Sequence, residues 1–97
     1  MPEYRLRPRA RADPDGIWNY TYAIWGAKQA RHYLGDLKRT FAKLARNSRQ
    51  GKSRNDLYEG LRVYPAGKHL IFYLAHDVGI DVVRVLHEHM DVQRHLP

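Results

Sequence analysis

Residues 61–87 hold three β-prone runs joined by connections too short to contain a helix, and this constrains the fold more than any other feature. Leu61-Arg62-Val63-Tyr64 and His69-Leu70-Ile71-Phe72-Tyr73-Leu74 flank the punctuation from Pro65 to Gly67. Asp77-Val78-Gly79 then turns the chain into Ile80-Asp81-Val82-Val83-Arg84-Val85-Leu86-His87. Parallel neighbours need a crossover of about a dozen residues or more, so these runs are expected to pair antiparallel. One face of such a sheet needs an apolar cover.

The cover is supplied by residues 27–47. Ala30, Leu34, Leu37, Phe41, Leu44 and Ala45 recur at i, i+3, i+4 and i+7, with Tyr33 alongside and Lys28, Arg31, Lys38, Arg39 and Lys43 opposite, which predicts an amphipathic helix. Gly26 separates it from an earlier helical pattern, in which Ile17, Tyr20 and Ile24 form one row and Trp18, Tyr22 and Trp25 the next. Pro8 suits a first helical turn. Pro14 does not suit an interior: either the helix kinks there, or Asp13 caps a helix that begins one or two turns late. The residues by themselves favour the later start. Glu3 to Arg7 predicts a short first strand, and the polar, basic stretch Asn47 to Asp56 an exposed loop. The expected fold is α+β, a single domain over 1–97 with order β-α-α-β-β-β and a helical hairpin packed on an antiparallel sheet.

Composition narrows the class. The chain has no cysteine, which excludes disulfides and thiolate metal sites and fits a cytoplasmic protein. No apolar run approaches the ~20 residues of a membrane span, and the first residues lack the apolar core of a signal peptide. Seventeen Lys+Arg against ten Asp+Glu give a net charge of +7. That field favours acidic proteins or nucleic acid. Arg5, Arg7, Arg9 and Arg11 alternate with uncharged residues, and Arg46, Arg49, Lys52 and Arg54 crowd the middle connection. Without a groove-reading motif, an acidic protein partner is the preferred reading and sequence-specific nucleic-acid binding is not expected.

Arg84 is the most informative polar residue. Strict alternation places it with Ile80, Val82 and Leu86 and opposite Val83 and Val85. A charge among apolar neighbours must reach solvent or find a partner. It either pairs with a nearby carboxylate or contributes to a partner-binding surface. His87 and His89 share the spacing of one strand face, but no cysteine or carboxylate pair accompanies them, so no metal is expected. His87 reads as a hydrogen-bonding residue at a strand end and His89 as surface, while Tyr64 and Tyr73 read as sheet packing. Trp18 and Trp25 read first as hairpin packing and second as a recognition surface. These residues form no acid–base–oxyanion set, so neither catalytic residues nor a cofactor are expected.

Several stretches resemble one family as a set. They are Tyr4-Arg5-Leu6; Ile17-Trp18 with Tyr20-Thr21; Trp25-Gly26 with Gln29-Ala30 and Tyr33-Leu34; Gly60-Leu61-Arg62; Gly67-Lys68-His69 leading to Phe72-Tyr73; and Ile80 through Asp91. In this order and spacing the chain resembles ParE toxins of ParDE-type toxin–antitoxin modules, within the RelE/ParE superfamily. The resemblance implies a helix running through Pro14, a toxin that binds DNA gyrase and stalls it on cleaved DNA without being an enzyme, and neutralisation by a ParD-type antitoxin through an acidic segment that folds on binding. RelE-like relatives imply an alternative, a ribosome-dependent mRNA endonuclease using Arg62, Lys68, Arg84 and His87. A nucleic-acid-binding module acting through the basic loop is a third reading. The residues expected to meet a partner are Trp18, Trp25, Arg62, Lys68, Arg84, His87 and Arg94, the last within a tail over Asp91 to Leu96 held against the fold.

Overall fold

In the computed structural model, which describes residues 2–96, β1 (Glu3–Leu6) leads into α1 (Pro8–Trp25) and α2 (Ala27–Arg46). A 3-10 turn (Ser48–Gln50) and the two-residue β2 (Lys52–Ser53) connect to β3 (Leu61–Ala66), β4 (His69–His76), β5 (Gly79–His87) and a short α3 (Val92–His95). The sheet order is β1-β5-β4-β3-β2. β3, β4 and β5 form the expected antiparallel meander. β1, however, pairs parallel with β5, Glu3 opposite Gly79 and Leu6 opposite Val82, so the sheet is mixed. The two helices between β1 and the meander provide the long connection that a parallel neighbour requires.

The helical hairpin follows from sequence for α2 more than for α1. Ala30, Leu37, Phe41, Leu44 and Ala45 are buried as the periodicity predicts, and Lys43 and Arg46 lie in the last turn, where the helix dipole favours cations. Gly26 joins the helices at φ 91°, a conformation that costs glycine nothing, and its N–H reaches the Tyr22 carbonyl at 2.9 Å. α1 is one continuous helix from Pro8 with Pro14 inside it, so of the two alternatives left open at Pro14 the late start is not realised and Asp13 is not a cap. Buried Ala10 before Pro14 and buried Ile17 and Thr21 after it tie both halves to the fold. An interior proline costs about 3 kcal/mol, of which about 1 is regained because proline restricts the unfolded chain. Pro14→Ala should therefore raise stability by about 2 kcal/mol in urea denaturation. An unchanged midpoint would mean that the helix has relaxed around the proline.

The sheet is packed on both faces. Under the helices, Ala10, Ile17, Leu37, Phe41 and Leu44 meet Ile71, Tyr73, Ile80, Val82 and Val85. A second, smaller cluster holds Leu61, Phe72, Val83 and Leu86, with Leu57, Val92 and Leu96 packed against it. The two clusters lie on opposite faces of the pleated sheet, and a β-bulge decides which β5 residues join each: Tyr73 faces Val82 and Phe72 faces Arg84, which leaves Val83 as the extra residue. The bulge switches the alternation. Val83 and Arg84 therefore belong to the second face with Leu86, while Ile80 and Val82 lie under the helices, correcting the strict alternation expected for β5. The tail is part of this second core, because Val92 and Leu96 help cover it.

The stretch 47–56 is less loop-like than expected. Gly51 is buried, its N–H donates to the Tyr73 hydroxyl at 2.9 Å, and that hydroxyl donates to the Ser48 carbonyl at 2.7 Å. Arg62 Nη1 donates to the Gly51 carbonyl at 2.7 Å. No helix is long and apolar enough to cross a membrane among the described residues.

Candidate functional site

Two exposed features and one anchored ion pair converge where α1 crosses the C-terminal end of β5. The first feature is the outer surface of α1. Only Ala10, Ile17 and Thr21 of this helix are buried. Tyr20 is 63% exposed, Tyr22 54%, Ile24 52% and Trp25 70%. Trp18 is half-buried and stacks on Tyr22, with ring centroids 6.1 Å apart. The packing expected for Trp25 is thus incorrect: its indole lies in solvent. The apolar periodicity of α1 is genuine, but most of it faces outward. Such a surface on a small chain is what an interaction site looks like.

The second feature is a cleft of about 440 Å³ lined by α1 residues (Asp13, Gly16, Ile17, Tyr20) and by His69, Val85, His87, His89 and Met90. β4–β5 pairing sets His69 opposite His87, with ring centroids 5.4 Å apart and edge to face, and His89 lies 5.2 Å from His87. The His89 backbone N–H donates to His87 Nδ1 at 3.2 Å, so the hydrogen-bonding character expected for His87 is present. His69 is not among the expected partner-contact residues; its register with His87 is set by the two-residue β4–β5 turn and the bulge at Val83, and it directly follows the two-residue β3–β4 turn. Tyr33 holds that turn: its hydroxyl lies 2.6 Å from His69 Nδ1 and 3.2 Å from the Ala66 carbonyl, and accepts the Lys68 N–H at 3.1 Å. The side chain of Lys68 is exposed, while its carbonyl accepts the Glu88 N–H at 2.9 Å. Among the described residues no group of three or more His, Asp or Glu side chains is placed to hold a metal ion.

Burial, followed by the neighbouring His87, pushes the His69 imidazole below its usual 6.5, against smaller opposing effects of Asp13 and Glu88. The folded protein thus binds fewer protons at His69 than the unfolded chain just below pH 6.5. Stability is full above that pH and falls as pH drops through the window beneath it, by at most about 1.4 kcal/mol per pH unit for one proton. Thermal melts between about pH 7 and 5 should show this slope reduced in His69→Gln relative to wild type. Parallel pH profiles for the two proteins would show that His69 does not carry it.

The ion pair joins α1 to β5. Arg84 Nε and Nη2 each donate to Asp13 carboxylate oxygens at 2.9 Å, and Nη1 donates to the His95 carbonyl at 2.9 Å. Asp13 also accepts the Val85 N–H at 2.8 Å, filling the position on the β5 edge that β1 vacates after Leu6. The side chains are 15% and 10% exposed. Asp13 raises the Arg84 pKa further through its hydrogen bonds. Of the two expectations for Arg84, the carboxylate partner is the one realised. Of the expected partner-contact residues, Arg84, Arg94 and His87 gather around the α1–β5 junction, and Trp18 and Trp25 lie along α1. Arg62 is held at Gly51, on the far side of the sheet beside β2.

Known proteins agree with this architecture. The family described as "ParE toxin of type II toxin-antitoxin system, parDE" matches residues 4–92. The chain is 44% identical to Toxin ParE1 of Mycobacterium tuberculosis over 94 residues, covering 96% of each chain. It is 38% identical to Toxin ParE1 of Caulobacter vibrioides over 96 residues, covering 99% of each. Identity to Toxin ParE of Escherichia coli is 37% over 98 residues, covering 99% of this chain and 94% of that one. Among solved structures, one titled "Chromosomal ParDE TA system from P. aeruginosa" superposes with a TM-score of 0.75 over 90% of this chain and 96% of that one, a likeness of fold at 19% identity. A mixed sheet under a helical hairpin, matched in sequence almost from end to end, places this chain in the ParE toxin family of type II toxin–antitoxin systems.

Proposed function

We propose that this toxin acts in the cytoplasm as a non-catalytic inhibitor of DNA gyrase, and that a ParD-type antitoxin neutralises it by laying a C-terminal segment along the outer face of α1. The gyrase target rests on family membership. The antitoxin reading is carried by one observation: Tyr20, Tyr22, Ile24 and Trp25 are all more than half exposed on a single helix. An amphipathic acidic segment would meet that face with its apolar anchors and meet the net charge of +7 with its carboxylates. Folding of such a segment on contact offsets its ordering cost by burying perhaps 1,000–3,000 Å².

Exposed aromatics at the centre of an interface carry most of the affinity. Tyr22→Ala and Trp25→Ala should each weaken antitoxin binding at least about tenfold, about 1.4 kcal/mol, without lowering the melting temperature. Co-expression with the antitoxin should yield a stable complex that is lost when the antitoxin's C-terminal half is deleted. If the complex survives that deletion, or both α1 variants bind normally, the antitoxin lies elsewhere.

RNA cleavage is a second reading, favoured by the three imidazoles that share one cleft. Phosphoryl transfer also needs a cation on the developing charge, and no Arg or Lys lines that cleft among the described residues. Transcripts mapped by primer extension during induction should therefore carry no new cuts. Codon-spaced cuts that vanish in His69→Ala or His87→Ala would establish the endonuclease instead.

A further inference from the structure

We propose that the hollow between the start of α1, β5 and α3 binds the phosphodiester backbone of duplex DNA without regard to base sequence. It encloses about 330 Å³ and is lined by Arg9, Ala12, Arg84, Arg94 and His95. Three elements, α1 and the consecutive β5 and α3, thus bring three guanidinium groups to one place, and the small side chain of Ala12 leaves room for a tetrahedral anion. Arg84 is the fixed member. Asp13 and the His95 carbonyl take three of its N–H groups, and a guanidinium has five donors, so two remain. Arg9 is exposed and has no ion pair among the described residues. Arg94 is 83% exposed, and its contact with the exposed Asp91 is 3.8 Å long. Both are available to a ligand, and each presents the planar fork that suits phosphate oxygens.

The chemistry of the hollow favours nucleic acid over an acidic peptide. An amphipathic peptide needs an apolar floor for its anchors, which the outer face of α1 provides and this hollow, with only Ala12 as an apolar side chain, does not. A phosphodiester chain carries a full charge at every nucleotide and needs no apolar floor to be held by cations. Arg5, Arg7 and Arg11 continue the positive charge through the β1–α1 junction, with Asp81 shared between the first two. Such binding would hold whether or not gyrase is the target.

The test uses the full chain and a fluorescein-labelled duplex of arbitrary sequence, with anisotropy read across a chloride series. Each phosphate contact contributes about 0.9 to the slope of log affinity against log salt. Arg9→Ala/Arg94→Ala should weaken binding at least about tenfold at low salt and reduce that slope by about two, equally for a duplex of scrambled sequence. Arg49→Ala/Lys52→Ala removes the same charge from exposed positions in the 47–56 connection and should change affinity less than about threefold. Circular dichroism melts of both variants should match wild type. A loss below tenfold, or an equal loss in the two double variants, overturns the proposal. So does displacement of the duplex by polyglutamate of equal charge, which would make the hollow a surface for acidic chains. Displacement by inorganic phosphate at matched ionic strength would make it a site for the free ion and would overturn it equally.

Discussion

Asp13→Ala should destabilise the protein by about 3 kcal/mol, although the residue lies in the second turn of a helix whose outer face is largely exposed. Three hydrogen bonds end on this carboxylate, two from Arg84 and one from the Val85 N–H. Its removal leaves a guanidinium that is 15% exposed with the His95 carbonyl as its remaining partner, and leaves a strand N–H without an acceptor. Breaking a buried pair by deleting one member costs about 3–5 kcal/mol, and partial exposure places this pair at the lower end. For a domain of this length the melting temperature should fall by roughly 12–24 °C, as each kcal/mol corresponds to about 4–8 °C. Asp13→Asn, which retains an acceptor for the Val85 N–H, should lie between wild type and Asp13→Ala. Asp13→Leu/Arg84→Met, which removes both charges, should recover much of the loss, because apolar replacement of a buried pair is often near neutral. A loss below about 1 kcal/mol in Asp13→Ala would show that solvent already screens the pair.

Gly79→Ala should cost at least about 3 kcal/mol, because the first strand cannot stay where it is. A Cβ at Gly79 would fall on the Glu3 carbonyl oxygen, with the Glu3 backbone carbon and nitrogen within 2.7 and 2.8 Å. These are backbone atoms, so no rotamer change relieves the overlap. β1 would have to move away from β5, breaking the Glu3 N–H bond to the Val78 carbonyl and withdrawing Tyr4 from Phe41, whose ring centroid is 5.2 Å away. Hydrogen exchange should show early loss of protection at Glu3 and Arg7, with β3 and β4 still protected. Wild-type protection throughout β1 would mean that its pairing tolerates a side chain at this position.

Much of this was legible in the sequence because it depends on local pattern. The stripe from Ala30 to Ala45 specifies α2, and the short connections around Gly67 and Gly79 specify an antiparallel meander. The order of motifs from Tyr4 to Asp91 identified the family. What escaped depends on tertiary context. The bulge at Val83 changes which face Arg84 occupies, and alternation alone carries no sign of it. The parallel pairing of β1 depends on where the helical hairpin returns the chain. Pro14 argues locally against a continuous helix, and contacts on both sides of it override that preference. The exposed residues Tyr20 and Ile24 on one flank of the buried stripe of α1, and Tyr22 and Trp25 on the other, extend the helical period of that stripe, so the sequence pattern does not tell them from core. Asp13 could have been proposed as the Arg84 partner from charge alone, but 71 residues separate them, and the sequence offers other carboxylates. The tail was expected to be held against the fold, which it is. Since it also packs on Leu61, Phe72, Val83 and Leu86 and supplies the His95 carbonyl to Arg84, Arg94→Ala separates surface chemistry from folding better than truncation does.

The most direct test of the proposed activity is a cleavage assay with purified full-length chain, DNA gyrase and supercoiled plasmid. The proposal predicts that folded toxin inhibits supercoiling and accumulates gyrase-linked double-strand breaks, that RNA in the same reaction stays intact, and that added antitoxin reverses both effects on DNA. Normal supercoiling with no breaks, at a toxin concentration where the antitoxin complex forms readily, would contradict gyrase as the target.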